Sequence, residues 1–114
     1  MQHSPPFLLR LCLLSLFAVL LTAQTNRGTV SGQITDPSGQ SVPTAAVELS
    51  NRGTGISVQT VSDASGSFSF PNLLPGTYAA TVQHPGFKRA LVDNVIVHTG
   101  ETTRVEFQLE VGEI

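Results

Sequence analysis

Two copies of one punctuation mark, Asp36-Pro-Ser-Gly39 and Asp63-Ala-Ser-Gly66, each end a stretch of alternating residues and force the chain to turn. An Asp opening such a tetrapeptide caps the turn through its own carboxylate, Pro37 presets φ, and the closing Gly accepts a positive φ. Between turns of this kind the apolar residues recur at every second position. That is the period of a strand with one dry face, and it commits the chain to sheets.

Val30, Gly32 and Ile34 share one face, and Ser31, Gln33 and Thr35 take the other. Ala45, Val47 and Leu49 begin a second inward row with Glu48 toward water, and Asn51-Arg-Gly-Thr-Gly55 is a further turn. Ile56 to Ser62 reads as a third strand, joined through Asp63-Ala-Ser-Gly66 to the Phe68/Phe70 strand as a hairpin with a type I turn and a Gly bulge. Pro71 to Pro75 reads as a corner, because two close prolines do not fit a central strand. Tyr78, Ala80 and Val82 form the next inward row. His84-Pro-Gly-Phe87 is a turn, Val95 and Val97 follow, and Thr99-Gly-Glu101 turns again. In the last strand Val105, Phe107, Leu109 and Val111 face inward, against Arg104, Glu106, Gln108 and Glu110. No helical period appears after Ala23. The expectation is an all-β, seven-stranded antiparallel Greek-key sandwich, preceded by a signal peptide.

The signal peptide is residues 1–23. Arg10 leads an almost wholly apolar run, Leu11 to Leu21, and Leu21-Thr-Ala23 offers a cleavage site before Gln24. The run falls short of the ~20 residues that span a bilayer, although retention as an N-terminal anchor is the other reading. Residues 24–27 form a short leader and 28–114 the domain. Cys12, the sole cysteine, lies inside the signal. It is too early in the apolar run for lipidation, and without it the domain relies on its core rather than on disulfides. Beyond Ala23 the cations are Arg27, Arg52, Lys88, Arg89 and Arg104, scattered among eight acidic residues. Nucleic-acid binding needs clustered cations to neutralise phosphates, so it is not expected.

The ordered series Gly32, Asp36-x-x-Gly39, Val42-Pro43-x-Ala45-x-Val47-x-Leu49, Asp63-x-x-Gly66-x-Phe68-x-Phe70, Leu74-Pro75-Gly76-x-Tyr78 and Pro85-Gly86-Phe87 resembles the carboxypeptidase regulatory-like domain, a transthyretin-like module, from about Thr29 to Val111. With a signal ending in Ala-Gln, it looks especially like the N-terminal extension of TonB-dependent outer-membrane receptors. There the domain precedes a plug and a barrel. Since this chain stops at Ile114, a truncated receptor fragment and a free-standing exported domain are both open. The resemblance implies a non-catalytic accessory module, exported to the periplasm, outer membrane or cell surface, with a protein partner or neighbouring domain there. Grouping of the fold with carbohydrate-binding-like sandwiches makes sugar binding the alternative.

No residue is assigned as catalytic, cofactor-binding or metal-binding. Asp36 and Asp63 each stand alone in their turns, whereas a calcium loop gathers several carboxylates. Tyr78 reads as a core ring with its hydroxyl satisfied at a corner. His84 and His98 lack partners at zinc spacing, and Ser31, Ser41 and Ser57 lack a neighbouring base. The transthyretin-like hydrolase of urate breakdown ends in a Tyr-Arg-Gly-Ser tail that this chain does not carry. Lys88 follows a turn rather than lying in the first strand, where an isopeptide crosslink would need it. Sugar sites present exposed aromatic planes, whereas Phe68, Phe70, Tyr78 and Phe107 fall on inward faces and the chain has no Trp. N-terminal sequencing of the exported protein is expected to begin at or near Gln24; a membrane-bound form that keeps Met1 to Ala23 would establish the anchor instead.

Overall fold

Val30 and Ile34 have no exposed surface, and the strand that carries them sits at the centre of its sheet. The computed structural model describes residues 26–112, so the signal-peptide expectation lies outside the described residues. Among these there are seven strands and no helix: β1 (Gly28–Thr35), β2 (Ala46–Asn51), β3 (Ser57–Val61), β4 (Ser67–Leu73), β5 (Gly76–Gln83), β6 (Ala90–Val97) and β7 (Thr102–Gln108). They form a three-stranded sheet in the order β4-β1-β7 and a four-stranded sheet in the order β3-β2-β5-β6.

The expected all-β sandwich is the observed one, with one pairing of opposite sense. β1 and β7 run parallel, from Thr29 opposite Thr102 to Thr35 opposite Gln108, while the other pairings are antiparallel. Parallel neighbours need a long crossover. Here the rest of the domain is the crossover, since β1 and β7 are the first and last strands.

The core is made by alternation on both sheets. Val30 and Ile34 from β1, Phe68 and Phe70 from β4, and Val105 and Phe107 from β7 meet Val47, Leu49, Tyr78, Ala80, Val82, Val95 and Val97 from the opposite sheet. The Phe68 ring packs against Phe70 edge-on at 6.1 Å between centroids and against Phe107 at 6.2 Å. It also covers Gly32, its cross-strand partner. A Cβ on Gly32 would collide with that ring and with the Val105 carbonyl oxygen, so the position requires glycine.

Three expectations need correction. β3 and β4 are not a hairpin, because they belong to different sheets. The buried Ser62 hydroxyl donates to the Val42 carbonyl (2.8 Å) and accepts from the Ala45 N–H (2.9 Å), which holds the end of β3 against the approach to β2. Four residues later the Gly66 carbonyl accepts from the Ile34 N–H (2.8 Å), already in the other sheet. The Asp63 turn is therefore a crossing between layers. Pro71 does not end its strand either, since β4 runs on to Leu73. β4 is an edge, where a missing N–H costs no ladder bond, and a bulge opposite Thr29 accommodates Pro71 and Asn72, the latter at φ 59°. Lastly, Val111 is 70% exposed: β7 ends at Gln108, and Val111 only bridges Phe87.

These faces set expected stabilities. Phe107→Ala should cost about 3–5 kcal/mol, whereas Gln108→Ala and Val111→Ala should each stay within about 0.5 kcal/mol. Urea denaturation of the three variants checks this, and a Val111 effect comparable with that of Phe107 would contradict the assigned end of β7.

Candidate functional site

The two Asp turns share one end of the sandwich and one geometry. Asp36 Oδ1 accepts from the Ser38 N–H (2.9 Å), the Ser38 hydroxyl (2.7 Å) and the Gln40 N–H (3.0 Å). Asp63 Oδ1 does the same with the Ser65 N–H (3.0 Å), the Ser65 hydroxyl (2.8 Å) and the Ser67 N–H (2.9 Å). In each turn the Gly N–H donates to the Asp carbonyl at 2.9 Å. Gly66, at φ 77°, lies so close to the Ile34 carbonyl that a Cβ would sit 2.6 Å from it.

One oxygen of each carboxylate, Oδ1, is thus occupied by the turn it caps. The Ser38 hydroxyl, then the backbone N–H groups, hold Asp36 below the ordinary value of 3.8. For Asp63 the Ser67 N–H leads and the Ser65 hydroxyl follows. Asp93 is also lowered, chiefly by its hydrogen bond from Arg52, which joins the loop after β2 to β6. Among the described residues no three His, Cys, Asp or Glu side chains gather as a metal site.

Tyr78 is buried, and its hydroxyl donates to the Leu74 carbonyl at 2.7 Å, which satisfies it at the corner before β5. His98 is exposed at the β6–β7 turn, and Lys88 Nζ lies 3.7 Å from Glu110 on the surface. Ser31, Ser41 and Ser57 are distributed along different strands and turns and do not converge.

The structure brings His84 into a concavity of about 560 Å³ that sequence reasoning did not anticipate. Thr44 and Ala46 at the start of β2, Gln83 at the end of β5, and His84, Pro85, Phe87 and Arg89 from the following turn line it. Gly86 (φ 88°) folds that turn back, so that the His84 and Phe87 rings meet edge-on at 5.6 Å. Phe87 is only partly buried, unlike the four rings of the core. The concavity's lining combines the apolar Ala46, Pro85 and Phe87 with an amide, a hydroxyl, an imidazole and a guanidinium. Such a lining can hold a small polar or anionic group. Among the described residues that line it there is no carboxylate and no thiol. The Pro85-Gly86-Phe87 motif was the available signal, but which segments it would meet depends on the β2–β5 pairing.

Residues 29–110 match the sequence profile of the carboxypeptidase regulatory-like domain. No curated protein sequence matches the chain. Solved structures share its fold at low identity. The Bacillus anthracis TIE protein aligns with a TM-score of 0.65 and 21% identity, over 75% of this chain and 17% of that one. GBS52, the minor pilin of Streptococcus agalactiae, aligns with 0.62 and 12%, over 79% and 47%. The 5-hydroxyisourate hydrolase of Klebsiella pneumoniae aligns with 0.56 and 24%, over 74% and 91%. The chain thus spans under half the length of the first two. At these identities the likeness concerns the fold.

The lowered carboxyl values carry a sign. A depressed folded-state value adds stability that is present above the unfolded value near 3.8 and disappears as pH falls through the folded value. The melting temperature should therefore drop on acidification below about pH 4. Asp36→Asn with Asp63→Asn should flatten that drop, because Asn keeps an accepting oxygen without titrating. Calcium and chelator should leave the melting temperature unchanged. An unaltered acid slope in the double variant, or a rise with calcium, would contradict turn capping.

Proposed function

The chain belongs to the carboxypeptidase regulatory-like domain family, and from that premise we propose that it is a non-catalytic, exported accessory module. It acts at the bacterial outer membrane in the manner of the N-terminal extensions of TonB-dependent receptors. The observation that carries the reading is the extent of the family match. It runs from Thr29, the second residue of β1, to Glu110 beyond β7, so that one regulatory-like sandwich accounts for essentially every described residue. The export address rests on the Arg10-led apolar run ending at Ala23. Use of the same fold for 47% of a minor pilin supports a building-block role beside other domains.

The chemistry of the surface supports binding over turnover. The carboxylates of Asp36 and Asp63 are engaged in turns, and Asp93 is paired with Arg52. A hydrolase needs a nucleophile with a base held within hydrogen-bond reach. The concavity beside Phe87 presents His84, Thr44 and Arg89 beside the apolar Ala46, Pro85 and Phe87, with no carboxylate among its described lining residues. The rings Phe68, Phe70, Tyr78 and Phe107 are spent on the core, which leaves Phe87 as the one partly exposed aromatic plane near polar groups among the described residues.

The chain should fractionate with the outer membrane and co-purify from it with a TonB-dependent receptor. It should be inert toward peptide, ester and glycoside substrates. Two results would contradict the module reading: saturable hydrolysis lost in His84→Ala, or glycan binding tighter than about 100 μM (roughly −5.5 kcal/mol) that Phe87→Ala abolishes in a folded protein.

A further inference from the structure

Four strands lie at sheet edges, and three of them carry features that hinder pairing with another chain. β4 has Pro71 and a bulge at Asn72. β6 has a bulge opposite Ala79, with Asn94 at φ 57° and Asp93 tied to Arg52. β7 projects Arg104 and Glu106, paired with one another at 2.7 Å. Proline, bulges and charge are the usual protections of an open edge. β3, Ser-Val-Gln-Thr-Val, has none of the three.

β3 is also exposed beyond what its composition suits. Ile56 is 63% exposed, Val61 55% and Val58 37%. Val58 stands opposite Leu49, on the inward side of the sheet, yet remains open because no strand among the described residues flanks it. The Asn51 N–H donates to the Ile56 carbonyl (2.8 Å) and the Ser62 N–H to the Ala45 carbonyl (2.9 Å). Alternation of an antiparallel ladder then directs the backbone groups of Ile56, Val58, Thr60 and Ser62 toward β2. Those of Ser57, Gln59 and Val61 point outward.

We propose that two copies of this chain pair antiparallel through β3 about a two-fold axis at Gln59, which joins their four-stranded sheets into one continuous sheet. The free donors and acceptors lie at Ser57, Gln59 and Val61, symmetric about Gln59. A two-fold operation therefore sets Gln59 against its own image and Ser57 against Val61, each pair exchanging both N–H···O bonds. Val58 then faces Thr60 in the closer, non-hydrogen-bonded register, which covers the exposed inward valine. No residue from Ile56 to Ser62 is charged. Opposite Gln59, Glu48 on β2 accepts from Gln59 Nε2 at 2.9 Å. Its image would lie three strand spacings away, about 14 Å, beyond the Debye length at physiological salt. The edge thus matches itself in hydrogen bonding, side-chain shape and charge. The inference stands on this edge and not on the outer-membrane address.

Sedimentation of the purified full chain across micromolar to submillimolar concentration tests it. A reversible monomer–dimer equilibrium is expected. Gln59→Pro removes the central outward N–H without breaking a bond to β2, and should weaken dimerisation at least tenfold while the melting temperature stays near that of the parent. Should that variant not fold, Gln59→Lys keeps the backbone donor and places two ammonium groups across the axis. It should weaken pairing in a way that added salt partly restores. A parent chain that stays monomeric throughout, whether or not an extended segment of another protein occupies β3, would overturn the proposal. So would a dimer that neither variant weakens.

Discussion

The pairing of β1 with β7 is the contact on which the remainder of the domain depends. β1 contributes Val30 and Ile34, both fully buried, and it can be central only if strands flank it on both sides. β4 supplies one flank after the chain has crossed between layers at Asp63. The other flank is the last strand, whose register begins at Thr29 opposite Thr102. Closure therefore spans nearly the whole domain in sequence. Such non-local pairing meets its loop-closure cost before the core rewards it, so the three-stranded layer and the inner face of the other sheet become stable together.

Much of this was legible in the sequence, and the reasons are local. The period-two rows at Val30/Ile34, Val47/Leu49, Tyr78/Ala80/Val82 and Val105/Phe107/Leu109 each fix a face without reference to the partner strand. The Asp-x-x-Gly turns fix where reversals occur, because the capping oxygen and the positive-φ glycine are supplied within four residues. What could not be read is which sheet a strand joins after a turn. The Asp63 turn looks the same whether it closes a hairpin or crosses layers. The choice is made by Ser62 bonding Val42 and Ala45 on one side and by Gly66 receiving Ile34 on the other. Pro71 misled for a related reason, since its meaning depends on whether its strand is an edge. Val111 continued the alternation in sequence but had already run past the facing sheet.

The site was less legible than the fold. His84 and Phe87 belong to a turn whose residues give no sign of Thr44 and Ala46, which meet them only because β2 and β5 pair. Family membership narrows the fold and leaves chemistry to particular side chains. In this chain most of those side chains serve the structure. The two similar turn carboxylates cap loops, and Tyr78 closes a corner. Among the described residues, the concavity beside Phe87 and the outward backbone groups of β3 are open to recognition.

Among the described residues a closed core around β1 coexists with one unprotected edge at β3. Residue-resolved amide hydrogen exchange of the dilute chain tests both halves at once. Protection should be greatest along β1, where Val30 to Ile34 lie between β4 and β7. Along β3 it should alternate, with Val58 and Thr60 slow and Ser57, Gln59 and Val61 fast. Uniform protection across β3 in the dilute chain, or rapid exchange throughout β1, would contradict it.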